Sequence, residues 1–372
     1  MTRETISKRQ AICIITLLIL GSSVIMGVST GEGQDSWISL LIAAAWSIPV
    51  VLVYSRIMRL FPEKDLFEII EALFGKVGGK ILIAFFCWYA VHLTALVLRS
   101  FSEFIKVAMM PETPQLPIMI LMLFVSAYLV KSGIESLGKW SIVVLPVTAL
   151  ALILSILFSL NEIDFLNIQP VFEHDAGVIV SGAFSLLSFP LIETVIFLGV
   201  AGYIKKTDSP KKILLFGILT GSGMLLLIML RNIEVLGPAM AGTVYYPSFV
   251  TARVIRVGDF LSRIEGSISM NFLLCGITKT TLCLFVASKG ASALFGVGDY
   301  KRMVMPVGLF SLALCSVLYK STMEMYDFAK IYHYYALPFQ VIMPLFVWIA
   351  AEIKMRKKRP PAKTAGRAAG RA

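Results

Sequence analysis

Apolar residues fall along this chain in runs of roughly 20, separated by short polar, glycine- and proline-bearing segments. Helices of that length cross the hydrocarbon core of a bilayer. Ten spans are predicted, at residues 11–28, 37–54, 81–104, 116–130, 140–160, 178–203, 213–233, 267–288, 303–318 and 336–352. Two connections carry patterns of their own. In residues 61–80, Leu66, Ile69, Ile70, Leu73 and Phe74 repeat at helical spacing opposite Glu68 and Glu71, which predicts an amphipathic helix at the membrane interface, closed by Gly75 and Gly78. Residues 236–266 form a long connection in which 247–265 can be helical, with Arg253, Arg256 and Arg263 on it. Such a segment suits a lid, a docking surface or a solvated surface helix.

Composition agrees with the pattern. The chain is 57% hydrophobic and 15% charged, with mean hydropathy +0.82. Soluble domains carry about 25% charged residues, so that class is excluded. One membrane domain, residues 1–357, is expected to fill nearly all of the chain, with a basic tail at 358–372 whose Pro, Gly and Ala content predicts disorder. The first apolar run is too long for a signal peptide, lacks a small-residue cleavage site and is followed by further spans. Cys13, Cys87, Cys275, Cys283 and Cys315 all lie in apolar runs without CxxC or Cys/His spacing, which reads as buried packing rather than disulfides or zinc.

The net charge of +11 changes the picture only as topology. With the N-terminus cytoplasmic, 25 of the 34 lysines and arginines fall in inner segments and six in outer loops. That is the positive-inside bias, with both termini cytoplasmic, and a missed or extra span would destroy it. No nucleic-acid partner is indicated. The tail can instead touch anionic lipid head groups of the bilayer.

Candidate chemistry lies where apolar runs are interrupted. The stretch 182–203, GAFSLLSFPLIETVIFLGVAGY, places Pro190 and Glu193 near the middle of the sixth span. Proline lacks the N–H that would reach the Leu186 carbonyl, so the helix should open there, next to an ionisable residue at membrane depth. Such backbone is tolerated only where it is buried in protein or lines a cavity. The first span is centred on Gly21-Ser22-Ser23; small residues there either open the helix toward a bound anion or allow close packing. Because ten spans divide into two sets of five, the halves run in opposite directions, and spans one and six occupy matching places. Interruptions at matching places in inverted halves point to a transporter-type binding site.

The eighth span places Lys279 at mid-depth within Thr278–Thr281, too far from either interface to snorkel; it could pair with Glu193, be neutral, or stand where other transporters hold a cation. The third span carries His92, Arg99, Glu103 and Lys106 on one face. His92 is near mid-depth, whereas the other three are expected to form surface pairs or a vestibule rim. No G-x-S-x-G, Walker A, HExxH or metal-spaced cluster occurs, so neither an enzyme nor a cofactor is expected.

The opening Ile6–Gln10 (ISKRQ), the SFPLIE core of the sixth span, and the outer segment VLGP…YYPSFVTARVIRVGDFLSRIE carry a resemblance. In these the chain resembles the spore germination permeases, the B subunits of bacterial nutrient germinant receptors, within the amino acid–polyamine–organocation transporter superfamily. The resemblance implies an all-α fold of ten transmembrane helices in two inverted five-helix repeats, about 11–160 and 178–352, with broken first and sixth helices. It implies a nutrient pocket between spans one, three, six and eight, A and C partner subunits, and location in the spore inner membrane. It also implies that Gly21, Ser22 and Ser23 receive a ligand carboxylate and that backbone opened at Leu186–Pro190 receives an amine. The candidate ligand residues are then Gly21, Ser22, Ser23, Gly27, His92, Leu186, Phe189, Pro190, Glu193, Thr278, Lys279 and Thr281. Thr280-Thr281 resembles a hydroxyl pair that ligates sodium in some relatives, with adjacent Lys279 a fixed cation that could serve instead. Ligand sensing with an amino acid as the first choice, and proton-coupled amino-acid or amine transport, both use this pocket.

Overall fold

The structure, a computed structural model, describes residues 4–27, 31–254 and 264–358. Among the described residues, eight helices are long and apolar enough to cross a membrane, and two shorter apolar helices, Gln115–Lys131 and Val304–Val317, bring the spans to ten. The others are Lys8–Met26, Ser36–Leu60, Leu66–Phe104, Ile134–Ser159, the composite Ala176–Tyr203, Pro210–Leu236, Ile264–Phe295 and the composite Thr322–Lys358. They are named first to tenth span in chain order. Of the predicted disorder and outer-segment features, the tail from residue 359 onward, Arg256 and Arg263 lie outside the described residues.

The packing reveals a symmetry that residue identities hide. The first span packs on the seventh as the second packs on the sixth, and the third packs on the ninth as the fourth packs on the eighth. These are exchanged pairs under an operation that maps the first five spans onto the last five, as expected for two inverted halves. One close crossing is between the first and seventh spans. Gly217 and Gly221, one turn apart, face Ile15 and Ile19. A Cβ at Gly217 would lie 2.5 Å from Ile15 Cγ2, and one at Gly221 would lie 2.8 Å from Ile19 Cδ1. In lipid, where apolar burial alone does not drive helices together, such close backbone approach supplies the packing energy.

The ends are tied by local chemistry. At the face carrying both termini, Ser7 and Gln10 form a capping box for the first span. Ile6, wholly buried, pairs its backbone with Tyr203 and Ile204 at the end of the sixth span. The amphipathic segment starts at its own capping box, Asp65 with Glu68, buries Leu66, Phe67, Ile69 and Ile70, and turns at Gly75. Gly75 adopts φ +72, so the helix continues at a new angle as the third span. Lys289 reaches Asp65 and lies 4.5 Å over the Tyr203 ring, and Arg56 bonds Glu352 at 2.6 Å. At the far face, Gly27 ends the first span at φ +71, directly against Pro247.

Three expectations need correction. The first span is not broken: Lys8–Met26 is continuous helix through Gly21-Ser22-Ser23. Ser23 bonds back to the Ile19 carbonyl at 2.5 Å, and the glycine accommodates a neighbour rather than an opening. The second interruption falls instead in the tenth span, at the π-turn Pro338–Ile342. That span begins at Thr322, not at residue 336; Glu324, Asp327 and Lys330 on its exposed side break the apolar run, while its inward side is aromatic. Finally, Arg99 and Glu103 are buried rather than at the surface. They pair at 3.4 Å, and Gln115 and Thr322 donate to the Glu103 carboxylate.

Gly217→Val should lower the thermal unfolding temperature of the detergent-solubilised protein, because overpacking costs roughly 1–3 kcal/mol. Gly223→Ala, on the same span but with open space around it, should change it little. Equal melting of both variants would contradict the crossing described.

Candidate ligand-binding site

The sixth span opens where proline requires it. Helix runs over Ala176–Leu186, passes through a π-turn at Leu187–Leu191 in which Phe189 is extended (φ −127, ψ 115), and resumes as a tighter helix over Ile192–Tyr203. The opening leaves polar backbone in the bundle interior, and the irregular part of the tenth span satisfies it. Gln340 donates to the Ser188 carbonyl at 3.0 Å and accepts from the Ser188 hydroxyl at 2.8 Å. Tyr54 donates to the Gln340 carbonyl.

Directly beyond the opening, Glu193 meets Lys279. Their charged atoms are 2.6 Å apart, and their side chains are 1% and 0% exposed. The lysine stem reaches the carboxylate by crossing the first span at Gly21, where a Cβ would sit 2.4 Å from Lys279 Cδ. Its ammonium also lies 5.1 Å over the Phe189 ring. The other carboxylate oxygen accepts from Tyr332 at 2.7 Å. Since that phenol gives its proton to Glu193, Tyr89 donates to Tyr332 across 3.1 Å, and Gln340 donates to Tyr89 at 2.9 Å. Every donor in the chain Gln340–Tyr89–Tyr332 therefore points toward Glu193, an arrangement in which each bond polarises the next.

Beside this pair lies a cavity of about 50 Å³. Ser22, Phe189, Glu193 and Lys279 line it together with Ser100 and Tyr332, and Tyr319, Met325 and Phe328 line it as well. It sits between spans one, three, six and eight, with the tenth as an added wall. Beyond it, the Tyr326 hydroxyl reaches the carbonyls of Tyr245 and Met26, fastening the start of the tenth span to the end of the first.

The remaining sequence-derived candidates lie elsewhere. Gly21 is under the Lys279 stem, Ser23 bonds within its own helix, and Gly27 abuts Pro247. Leu186 and Pro190 are buried in the frame of the opening. His92 is one layer out, stacked on Trp88 and edge-on to Phe328. Thr278 accepts from Trp140 at 2.9 Å on the opposite side of the eighth span, and Thr281 bonds to the Ile277 carbonyl. Tyr332, Tyr89 and Gln340 were missed by sequence reasoning. The signal present was Tyr332, His333, Tyr334 and Tyr335 running into Pro338 and Gln340, an aromatic and amide cluster at the edge of an apolar run. Among the described residues no group of His, Cys, Asp and Glu is placed to hold a metal ion.

A composite sixth span, a buried ion pair and a small cavity beside it within two inverted five-helix halves define a multi-pass membrane protein of the transporter-fold class. Within that class, the family model described as Spore germination protein matches residues 5–325, and the chain belongs to this family. Curated relatives agree. Spore germination protein KB of Bacillus subtilis (strain 168) is 26% identical over 363 residues, covering 96% of this chain and 97% of its own. Putative spore germination protein YfkT of the same organism is 26% identical, covering 86% and 88%. Among solved structures, Mhp1, a nucleobase-cation-symport-1 family transporter with bromovinylhydantoin bound, matches with TM-score 0.71 at 10% identity over 92% of this chain and 78% of its own. MhsT in complex with L-phenylalanine matches with TM-score 0.68 at 14% identity over 95% and 90%. At these identities the structural matches establish the fold alone.

Removing one member of a buried ion pair leaves the other uncompensated, at a cost of roughly 3–5 kcal/mol, whereas replacing both is often close to neutral. Lys279→Met and Glu193→Gln should each melt well below the parent in detergent while still inserting, and the double variant should recover most of the loss. Additive losses in the double variant would show that the two groups do not form one buried pair. Tyr332→Phe removes one donor to a buried carboxylate and should cost about 1–3 kcal/mol on the same assay.

Proposed function

We propose that this protein is the membrane-embedded, ligand-binding B subunit of a spore nutrient-germinant receptor. It takes a small nutrient, an amino acid by preference, into the cavity beside Glu193 and Lys279, and signals through A and C partner subunits to start germination. Its termini face the cytoplasm, a reading supported by the lysine and arginine bias toward that face. Family membership supports the germination role, and the cavity at the opened sixth span supports the ligand role.

The observation that carries the reading is the pairing of a buried carboxylate and a buried ammonium on one cavity wall. An amino-acid zwitterion presents the complementary pair. Its carboxylate would be taken by Lys279 with Ser22 alongside, and its ammonium by Glu193, with the Lys279–Glu193 contact exchanged for two contacts to ligand. Because the first span keeps its backbone N–H groups within the helix, Lys279 replaces the opened helix end as the carboxylate partner. The exchange loosens the tie between sixth and eighth spans, which gives ligand binding a mechanical output.

A second reading, a proton-coupled amino-acid or amine transporter, is favoured by one feature: the line of donors Gln340–Tyr89–Tyr332 ending on Glu193. Two measurements decide. A panel of small nutrients, tested by thermal unfolding of the purified protein, should contain an amino acid that raises the melting temperature of the parent by mass action but not that of the Glu193→Gln, Lys279→Met double variant. A flat panel would sink the ligand-binding proposal. With the amino acid identified, reconstituted liposomes containing this subunit alone should show no saturable, proton-driven uptake. Uptake would favour the transporter.

A further inference from the structure

Of the three buried cations among the described residues, Lys279 and Arg99 each face a carboxylate; Arg231 does not. It is 3% exposed, lies five residues before the end of the seventh span, and has no ion-pair partner among the described residues. Nη1 donates to the Ser155 hydroxyl at 2.7 Å and Nη2 to the Asn232 side-chain oxygen at 2.6 Å, while Nε has no partner. A guanidinium keeps its proton at neutral pH, and burying its charge without a counter-charge is strongly unfavourable. Two neutral acceptors orient the group but do not neutralise it.

Arg231 lines a cavity of about 20 Å³ together with residues of the first, fifth, seventh and eighth spans and Ser248 of the short helix Pro247–Val254. The polar groups around it are arranged as donors. Thr148 gives its proton to the Asn271 side-chain oxygen at 2.9 Å, which leaves the Asn271 amide N–H groups to donate. Asn232 accepts from Thr251 and Arg231 and donates to the Ser248 oxygen at 3.1 Å, which leaves the Ser248 proton to donate. The donor set is therefore Arg231 Nε, the Asn271 amide and the Ser248 hydroxyl, with no carboxylate on the cavity wall. A water molecule needs roughly 10–15 Å³ of such space, so a single atom of halide size fits and a phosphate or carboxylate-bearing metabolite does not.

We propose that this cavity is a binding site for one small monovalent inorganic anion, chloride or another halide, which supplies the counter-charge for Arg231. The site is separate from the Glu193–Lys279 cavity and independent of the function proposed for it. Its lining comes from four spans and the short helix that covers their far-face ends, so a bound halide cross-links the part of the bundle through which the first and seventh spans meet the far face. Occupancy stabilises the folded protein in proportion to the logarithm of anion concentration, without a change in secondary structure.

The test is the unfolding temperature of the purified full chain in detergent, with sodium chloride replaced stepwise by sodium gluconate at constant ionic strength. The melting temperature should rise with the logarithm of chloride concentration once chloride exceeds its dissociation constant, bromide should substitute, and gluconate should not. Ser248→Ala removes one donor while keeping Arg231 in place, and should shift the chloride concentration at which the rise sets in upward by about tenfold. Arg231→Met should abolish the halide response. Should that variant fail to fold, Ser248→Ala and anomalous diffraction from bromide-grown crystals of the parent carry the test, with a peak expected beside Arg231. A parent melting temperature indifferent to halide, an unaltered response in Ser248→Ala, or bromide crystals with no peak at Arg231 would each overturn the proposal.

Discussion

The structure is built around the cost of placing a lysine ammonium deep inside a membrane-spanning bundle. Lys279 has neither interface within reach, so it must meet a carboxylate, and Glu193 is brought to 2.6 Å from it. That one requirement propagates. The stem of Lys279 needs room, so the first span carries glycine at position 21. Glu193 needs its second oxygen satisfied, so Tyr332 stands opposite and the tenth span runs inward far enough to supply it. Glu193 follows directly on the Pro190 opening, and the polar backbone exposed there needs a partner, so Gln340 sits at the π-turn of the tenth span. Each substitution in this chain of dependences uncovers a polar group in a setting without water to receive it.

The same logic separates the interior of the bundle from its ends. Near both faces, charged and polar groups act as latches: Lys289 with Asp65 and Arg56 with Glu352 at the termini face, Tyr326 with the carbonyls of Met26 and Tyr245 at the far face. These lie beyond the cavity on either side, and they join elements from both halves. The Lys279–Glu193 pair ties the sixth span to the eighth at the cavity wall, between these two sets of latches.

Several features were legible in the residues because their causes are local. Pro190 removes a backbone donor and disturbs the turn before it, and the opening is found at Phe189, although Pro49 and Pro146 sit within continuous helices. Asp65 and Glu68 had to cap, and Leu66, Ile69 and Ile70 had to turn one way, so the amphipathic segment could be read before its partners were known. Lys279 and Glu193 could be paired because intramembrane charges rarely stand alone. Gly21-Ser22-Ser23 was misread as an interruption for an equally physical reason: small residues either loosen a helix or admit a neighbour, and the neighbour, a lysine stem from the eighth span, is remote in sequence. The tenth span was cut short because Glu324, Asp327 and Lys330 lower the hydropathy of its exposed side, although its inward side carries Met325, Phe328, Tyr332 and Ala336.

The sequence by itself determined the class of the molecule, the number of its spans, their alternating direction and the two charged residues that meet in its interior. Helix length, hydropathy and the cost of buried charge act residue by residue, so no contact list is needed to apply them. Only the tertiary structure decided which groups complete the site. Tyr332, Tyr89 and Gln340 become partners of Glu193 and Ser188 through the packing of the tenth span on the third and sixth, Thr278 is taken by Trp140 of the fifth span, and Thr281 bonds within its own helix. Orientation about a helix axis and contacts between segments over a hundred residues apart depend on the whole bundle closing at once.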